Sequence, residues 1–348
     1  MATARTRRPP FQLGGTLVPA GSRATVDLPL SLLSDHTPAT LTAEVVHGAT
    51  PGPVLLINGA IHGDEVNGVE IIRRVLRQPS LRRLCGTLIA VPIVNVYGFL
   101  TNIRYLPDRR DLNRSFPGSP TGSLAARLAH LFFNEIVKCA DFGIDLHTAA
   151  VHRDNFPQVR GDLSNHHVRE MATVFGVPVV LNAALRDGSL RKAAIDAGIP
   201  YLVYEAGEAL RFDEVAIRAG LRGILRVMAH LGMIRPQARH AVKAEPVIAR
   251  RSTWIRAPEG GIFRARKKLG DRVMAGEILG VIADPFGDNE VPIKSSCDGV
   301  LIGRTNLPNV NQGDGLYHVA RMDDPDSAAE AIEVFQDDWE AAQSQPAG

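Results

Sequence analysis

The stretch Val54-Leu-Leu-Ile-Asn-Gly-Ala-Ile-His62-Gly-Asp-Glu65 decides the fold. Its apolar run, Val54–Ile57, is typical of a strand buried on both faces. The run ends in a tight turn that presents His62 and Glu65 just before a helix begins. An imidazole and a carboxylate are half of a catalytic zinc site, and open α/β sheets place such sites at the carboxyl ends of strands. The alternative to a metal site is that His62 caps the helix and that Glu65 is an acid of its first turn, favoured by the helix dipole.

The region around this stretch repeats the same alternation of short apolar strands and amphipathic helices. The pattern predicts four further strands, at Leu88–Val94, Phe142–Leu146, Val177–Leu181 and Tyr201–Tyr204. It predicts helices near Val69–Arg77, Ser123–Cys139, His167–Phe175, Leu190–Ala197 and Glu214–Gly232. Alternating short segments in the first 50 residues predict an antiparallel β entry. The whole pattern predicts an α/β fold in which a mixed sheet is flanked by helices.

The pattern changes after about residue 245. Residues 246–322 are rich in Gly and contain two similar β units, which predicts a small all-β domain. Residues 323–348 form an acidic tail in which the apolar positions fit a short amphipathic helix; these are Ala328, Ala331, Ile332, Phe335 and Trp339. We therefore predict a catalytic domain over 1–245, a β domain over 246–322 and a tail over 323–348.

Composition and charge exclude several classes of protein. Of the residues, 45% are hydrophobic and 22% charged, as is usual for globular proteins. We find no apolar run long enough for a membrane span, no secretory signal, and only three separated cysteines, so a cytoplasmic protein is expected.

The net charge is +2, but eight acids and no Lys or Arg follow Arg321, which leaves +10 on the first 322 residues. Without a nucleic-acid motif, we expect neither nucleic acid nor membrane as a partner. A homo-oligomer is left open.

Two further strand ends carry the rest of the candidate site. Asp145 and His147 alternate with a leucine, so both point to the same face of their strand. His147 could complete a His/Glu/His ligand set, with Asp145 as an outer hydrogen-bond acceptor, although a hydrogen-bonded strand-end histidine is the alternative. Glu205 closes another apolar strand, where a carboxylate beside a metal-activated water suits a general base. A solvent-facing Glu205 is the other interpretation.

A loop with four arginines lies between these motifs, from Arg104 to Gly118. Guanidinium groups bind carboxylates in a bidentate manner and stabilise developing oxyanions. Asn113 and Arg114 therefore suit a clamp for an anionic group of the substrate. We interpret Arg109 and Arg110 as solvated, although they compete with Arg104 for any role at a carbonyl.

Taken in order, these motifs resemble the succinylglutamate desuccinylase/aspartoacylase family, which has a zinc-carboxypeptidase-like fold. The motifs are His62-Gly-Asp-Glu65, Arg104, Asp111-Leu-Asn-Arg114, Asp145-Leu-His147 and Glu205-Ala-Gly. The resemblance covers about residues 40–235 directly. The β domain is also similar to the family's C-terminal domain, which resembles a biotinyl/lipoyl-type barrel-sandwich.

The resemblance implies a role for each matching residue. His62, Glu65 and His147 match the ligands of one Zn²⁺ per chain, and Glu205 matches the catalytic glutamate. Asn113 and Arg114 match the pair that binds the substrate carboxylate, and Arg104 matches the arginine that polarises the scissile carbonyl. The implied activity is zinc-dependent removal of the acyl group from a small anionic N-acylated amino acid. A zinc carboxypeptidase acting on peptides, or an inactive binding protein on the same fold, are the alternatives.

Overall fold

The computed structural model describes residues 8–237, 245–322 and 330–337. Its strands are β1 (Phe11–Leu13), β2 (Thr16–Val18), β3 (Ser22–Leu32), β4 (Pro38–His47), β5 (Thr50–Gly59), β6 (Cys85–Val91), β7 (Phe142–Ala149), β8 (Arg153–Gly161), β9 (Val179–Asn182), β10 (Tyr201–Glu208), β11 (Val247–Ala249), β12 (Arg251–Arg256), β13 (Gly261–Ala265), β14 (Arg272–Val273), β15 (Ile278–Ala283), β16 (Glu290–Lys294), β17 (Gly299–Thr305), β18 (Asn309–Val310) and β19 (Gly315–Arg321). Its α-helices are α1 (Asn67–Leu76), α2 (Val96–Leu100), α3 (Leu124–Glu135), α4 (His166–Phe175), α5 (Leu190–Asp196) and α6 (Glu214–His230). Short 3₁₀ turns are Pro79–Arg83, Leu112–Arg114 and Val137–Cys139.

The chain divides into two compact units that are each built from several segments. The first unit comprises Met1–His147, Leu185–Val203 and Gly220–Ala241. The second comprises Thr148–Ala184, Tyr204–Ala219 and Val242–Gly348. The predicted domain boundaries at residues 245 and 322 stay a prediction.

A mixed sheet forms the centre of the first unit, in the order β7-β5-β6-β4-β3. Strand β5 pairs in parallel with β6 and β7, whereas β4 is antiparallel to both β6 and β3. A parallel pair needs a crossover connection, which α1 supplies between β5 and β6. Leu55, Leu56 and Ile57 are completely buried, as expected of a continuous apolar run in a covered parallel strand.

Helices pack on this sheet through one apolar stripe each. Helix α1 buries Ile71, Ile72 and Val75. Helix α3 starts at the hydroxyl of Ser123, which accepts a hydrogen bond from the N–H of Ala126 at 3.3 Å and so caps the helix. The predicted helix over Ser123–Cys139 is therefore present, although its last turn is 3₁₀.

The second unit is mostly antiparallel β structure. One run of strands has the order β12-β19-β17-β8, with β9 parallel to both β8 and β11. A separate four-stranded sheet has the order β16-β15-β13-β18. One buried core is shared by strands of both sheets and includes Phe263, Leu301 and Tyr317. The hydroxyl of Tyr317 donates to the carbonyl of Leu279 at 3.0 Å, so this tyrosine serves the core of the β region.

Part of the predicted tail helix is described, and residues 330–337 are indeed helical. Ala331 and Ile332 are buried, and the ring of Phe335 lies 6.0 Å from the ring of Phe156 in an edge-on arrangement. These three positions belong to the predicted apolar face. The other two, Ala328 and Trp339, lie outside the described residues.

The architecture confirms the predicted α/β fold with a mixed sheet flanked by helices, together with an antiparallel β region near the C-terminus. Among the residues that the structure describes, no helix combines the length and the hydropathy that a membrane crossing requires.

Candidate metal centre

His62 and Glu65 lie in the turn that connects β5 to α1. The backbone N–H of Glu65 donates to the carbonyl of His62 at 3.1 Å and closes this turn. A Cβ on Gly63 would lie 2.0 Å from the carbonyl carbon of Gly98, so only glycine lets the turn lie against α2. The side chains of His62 and Glu65 are both buried. The turn thus holds an imidazole and a carboxylate inside the first unit.

His147 comes to the same place from β7. Strands β5 and β7 pair in parallel, with Asn58 opposite Asp145. Because the carboxyl ends of parallel strands meet at one edge of a sheet, the turn after β5 lies beside His147. Potential ligand atoms of His62, Glu65 and His147 all lie within 4.8 Å of one another. The structure therefore brings the predicted His/Glu/His set together.

The Glu65 carboxylate lies between the two imidazoles. Nδ1 of His62 is 2.6 Å from Oε1 of Glu65, and Nδ1 of His147 is 2.7 Å from Oε2. Each imidazole has a second carboxylate at its other nitrogen. Nε2 of His147 is 2.8 Å from Oδ2 of Asp145, and Nε2 of His62 is 3.1 Å from Oδ1 of Asp111. Both rings therefore lie between two acids.

These neighbours oppose the effect of burial on each pKa. Burial alone would lower the pKa of His147, but Asp145 and Glu65 outweigh it and raise the pKa well above its ordinary value. The pKa of His62 is likewise raised, against the effect of burial, chiefly by Glu65. Burial would raise the pKa of Glu65, yet the two imidazoles lower it. The cluster stabilises positive charge between its three members.

The donor set fits a zinc ion. If each Nε2 carries the proton that its outer aspartate accepts, each Nδ1 presents a lone pair toward Glu65, which also offers only lone pairs. Lone pairs that converge in this way need a cation between them, and two imidazoles with one carboxylate are typical ligands of catalytic zinc. Outer carboxylates that accept the second N–H of a ligand histidine are equally typical. His62, Glu65 and His147 could therefore hold the metal.

Arg104 lies at this cluster. Its Nη2 is 2.9 Å from Oδ2 of Asp111, and its Nη1 is 3.3 Å from Oε1 of Glu65. Its side chain is 25% exposed. Arg109 and Arg110 were the other candidates for the arginine at the scissile carbonyl. Arg110 pairs with Asp108 at 3.8 Å, and Arg109 has a left-handed backbone. Among the three arginines, the structure shows only Arg104 in contact with the ligand set.

Asn113 and Arg114 lie in the 3₁₀ turn that follows Asp111. The side-chain carbonyl of Asn113 accepts a hydrogen bond from the N–H of Leu190 at 2.9 Å, which fixes the amide at the start of α5. Arg114 is exposed as a residue, and its Nη1 donates to the carbonyl of Asn113 at 2.5 Å. Partial burial of the guanidinium is the largest cause of its lowered pKa; Arg186 and Arg104 add to this effect, and Asp111 opposes it. The turn therefore presents an amide and a cation that has one acidic and two basic neighbours.

Glu205 lies on β10, in the part of that strand that belongs to the second unit. Its Oε2 accepts a hydrogen bond from Nδ2 of Asn155 at 2.8 Å and lies 3.2 Å from Nη2 of Arg160. The side chain is 18% exposed. Two donors from β8 thus hold Oε2 of Glu205, and the side chain stays partly exposed.

Sequence reasoning missed several partners of these residues. Asp111 was part of a recognised motif, but its contact with His62 was not predicted. Asn155 and Arg160 were not predicted as the donors that hold Glu205. The hydrogen bond from Asn58 to Asp145 was not predicted either, although an asparagine one residue before the end of the apolar strand β5 was a signal that could have been used.

With the geometry established, comparison with known proteins identifies the family. Residues 51–231 match the model of the succinylglutamate desuccinylase/aspartoacylase catalytic domain, which is more than half of the 348 residues. The chain belongs to this family. The matched stretch contains every residue of the candidate site, and the resemblance inferred from the motifs is confirmed.

Known proteins are similar to this chain over most of their length. The N-alpha-acetyl-L-2,4-diaminobutyric acid deacetylase of Halomonas elongata is 26% identical over 285 residues, which cover 78% of this chain and 83% of that protein. A crystal structure of a succinylglutamate desuccinylase/aspartoacylase from Rhodobacter sphaeroides is 26% identical, with a TM-score of 0.77 over 85% of this chain and 95% of that one. The product-bound ectoine utilization protein EutE (DoeB) of Ruegeria pomeroyi shares the fold, with 23% identity, a TM-score of 0.77 and coverage of 86% and 95%. The family match and the Halomonas elongata relative together support a deacylase.

Proposed function

We propose that this protein is a zinc-dependent deacylase that hydrolyses the amide bond of a small N-acylated amino acid or a related amide bearing a carboxylate. The observation that carries the proposal is the buried His62, Glu65 and His147 set, with an outer aspartate at each imidazole. A zinc ion held there would supply a Lewis acid that lowers the pKa of a water molecule to about 7.

The protein's own residues supply the remaining steps. Glu205 accepts the proton of the attacking water and returns it to the amine as the C–N bond breaks. The exposed part of Arg104 donates hydrogen bonds to the oxygen of the scissile carbonyl as negative charge develops on it. Asn113 and Arg114 bind the carboxylate of the substrate, which holds the amide in one orientation and lowers the entropic cost of the attack.

The substrate class follows from charge and from one relative. A cationic turn at Arg114 suits an anionic substrate, and no acid other than Asp111 lies between Arg109 and Arg114 in the sequence. The relative from Halomonas elongata is a deacetylase of an N-acetylated diamino acid. N-acetyl amino acids are therefore the first compounds to test, followed by N-succinyl amino acids.

A Glu205→Gln variant tests the proposal, with zinc content measured beside activity. We expect the variant to keep its zinc and to lose at least about 100-fold in kcat on N-acyl amino acids, as is usual when a general base is removed. Glu208→Gln is the matched control, because Glu208 lies on the same strand and accepts hydrogen bonds from the His152 N–H and from Asn306. It should keep the parent's kcat. Equal activity of Glu205→Gln and parent would refute the general-base assignment.

Metal removal and peptide substrates test the rest of the proposal. Dialysis against a chelator should abolish hydrolysis, and addition of Zn²⁺ should restore it. A chain that binds no divalent metal would support the inactive binding protein instead. Release of C-terminal residues from long peptides, faster than hydrolysis of N-acyl amino acids, would support the carboxypeptidase alternative.

A further inference from the structure

A line of buried polar side chains leads from His147 into the core of the first unit. Asp145 contacts Nε2 of His147 through Oδ2, and its Oδ1 accepts a hydrogen bond from Nδ2 of Asn58 at 2.7 Å. Oδ1 of Asn58 in turn accepts from the hydroxyl of Tyr201 at 2.5 Å. Asn58, Asp145 and Tyr201 are at most 1% exposed. Three strands, β5, β7 and β10, contribute to this line.

The direction of each hydrogen bond in the line is determined by its chemistry. An ionised Asp145 can only accept, so both of its neighbours must donate to it. Asn58 must therefore present its NH₂ group to Asp145, which leaves its carbonyl facing Tyr201. The tyrosine hydroxyl must then donate. At the other end, His147 must carry its proton on Nε2, so its Nδ1 is left with the lone pair that faces Glu65.

The surrounding structure is shaped to admit the tyrosine ring. A Cβ on Gly143 would lie 2.0 Å from a ring carbon of Tyr201, so the absence of a side chain on β7 makes room for it. The ring itself is part of the hydrophobic core. A phenylalanine would fill the same space without burying a polar group, and burial of an unpaired hydroxyl is unfavourable. Packing alone therefore does not explain the hydroxyl, whereas its hydrogen bond to Asn58 does.

We propose that Tyr201 and Asn58 are positioning residues that act through Asp145 to fix the orientation and the Nε2–H tautomer of His147, and that they thereby set the zinc affinity of the site. The inference rests on the proposed function in one respect only, namely that His147 is a metal ligand. A group hydrogen-bonded directly to a ligand histidine, as Asp145 is, usually changes metal affinity by about 10- to 100-fold, and we expect the residues behind it to fall at the lower end of this range.

A single-atom change on β10 tests this. Tyr201→Phe removes only the hydroxyl, and its matched control is Tyr204→Phe, because Tyr204 is buried on the same strand and its hydroxyl donates to the carbonyl of Ala216 at 2.8 Å. Zinc affinity is measured by competition with a chromogenic chelator, and thermal stability by calorimetry. We expect Tyr201→Phe to bind zinc about 10-fold more weakly than the parent, whereas Tyr204→Phe should stay within about twofold. Both variants should lose thermal stability to a similar extent.

Two further measurements follow the line toward the metal. Asn58→Leu leaves Oδ1 of Asp145 without its donor and should weaken zinc binding more than Tyr201→Phe does, but by less than about 100-fold. Nitrogen NMR of the zinc-loaded parent should show the proton of His147 on Nε2. Equal zinc affinity in Tyr201→Phe and Tyr204→Phe, or a proton on Nδ1, would overturn the inference.

The outcomes separate this inference from the proposed function. If the parent binds zinc and the affinities rank as expected but no N-acyl amino acid is hydrolysed, the inference stands and the proposed function fails. If the parent hydrolyses its substrate and Tyr201→Phe binds zinc as tightly as the parent, the inference fails and the function stands. A parent that binds no zinc refutes both.

Discussion

Two histidines in different units are equally buried and yet differ in pKa. His147 in the first unit and His318 in the second are each 6% exposed. The pKa of His147 is raised well above its ordinary value despite its burial, because Asp145 and Glu65 face its two nitrogens. Burial lowers the pKa of His318 to about 3, and the positive charge of Arg160 adds to this effect. Burial lowers the pKa of both imidazoles, so the difference between them comes from the charges that face each ring.

The surroundings of His318 suit a neutral aromatic ring. Its imidazole stacks on the indole of Trp254, with the ring centroids 4.7 Å apart and the planes 5° from parallel. The guanidinium of Arg153 lies 5.1 Å from the centroid of the same indole. Nδ1 of His318 has no hydrogen-bond partner in the part of the chain that the structure describes. We infer that His318 is a packing residue, in contrast to the metal ligand proposed at His147.

Removal of each imidazole in turn should give the largest difference in zinc affinity between the two histidines. His147→Ala should weaken zinc binding by more than about 100-fold, because it removes a ligand and so exceeds the effect of losing an outer-shell partner. His318→Ala should leave zinc affinity within about twofold and lower stability instead. Chelator competition measures the first property and urea unfolding the second. Equal zinc affinities in the two variants would remove the distinction between the two histidines.

A change of one charge beside His147 should have the next largest effect. Asp145→Asn keeps the shape of the side chain but removes the negative charge that faces Nε2, so zinc binding should weaken by about 10- to 100-fold. Asp141→Asn is the control, because Asp141 lies just before the same strand and its carboxylate accepts from the backbone N–H of Val54 at 2.8 Å. The control should bind zinc like the parent. If Asp145→Asn also does so, the carboxylate is not what prepares His147 for the metal.

The low pKa of His318 predicts a pH dependence of stability. Its pKa is about 3 in the folded state and 6.5 in the unfolded chain, so between these values only the unfolded chain takes up the proton. Stability contributed by the neutral imidazole is therefore complete above pH 6.5 and falls by about 1.4 kcal/mol per pH unit below it, until about pH 3.

His318→Phe isolates this effect, because phenylalanine keeps an aromatic ring against Trp254 but cannot be protonated. Between pH 7 and pH 5, the metal-free parent should lose about 2 kcal/mol more free energy of unfolding than the variant does. Urea unfolding at the two pH values gives this difference, and the other titrating groups cancel in the comparison. Parallel curves for parent and variant would show that His318 is not held neutral.

The sequence could predict the parts of the site that follow from strand ends. His62, Glu65 and His147 could be brought together in advance because parallel strands end at one edge of a sheet. The hydrogen bond between Asn58 and Tyr201 could not be predicted, because the two residues are 143 positions apart. A tyrosine in an apolar strand also predicts only a core residue. The difference between His147 and His318 was equally hidden, since it depends on which charges from distant segments face each ring.

The smallest expected effect tests how tightly the row around His318 is packed. Opposite positions on β8, β17, β19 and β12 align Asn155, Gly303, His318 and Trp254. A Cβ on Gly303 would lie 3.0 Å from Oδ1 of Asn155 and 3.0 Å from Cβ of His318, closer than ordinary contact. Gly303→Ala should therefore cost about 1 kcal/mol of unfolding free energy, at the lower end for overpacking, because the neighbours are side-chain atoms.

Gly260→Ala is the control, since its Cβ would have no neighbour nearer than 3.4 Å, and it should cost nothing. If both variants are as stable as the parent, the packing role assigned to His318 loses its support, because a row that accepts an extra methyl group does not hold the imidazole against the indole.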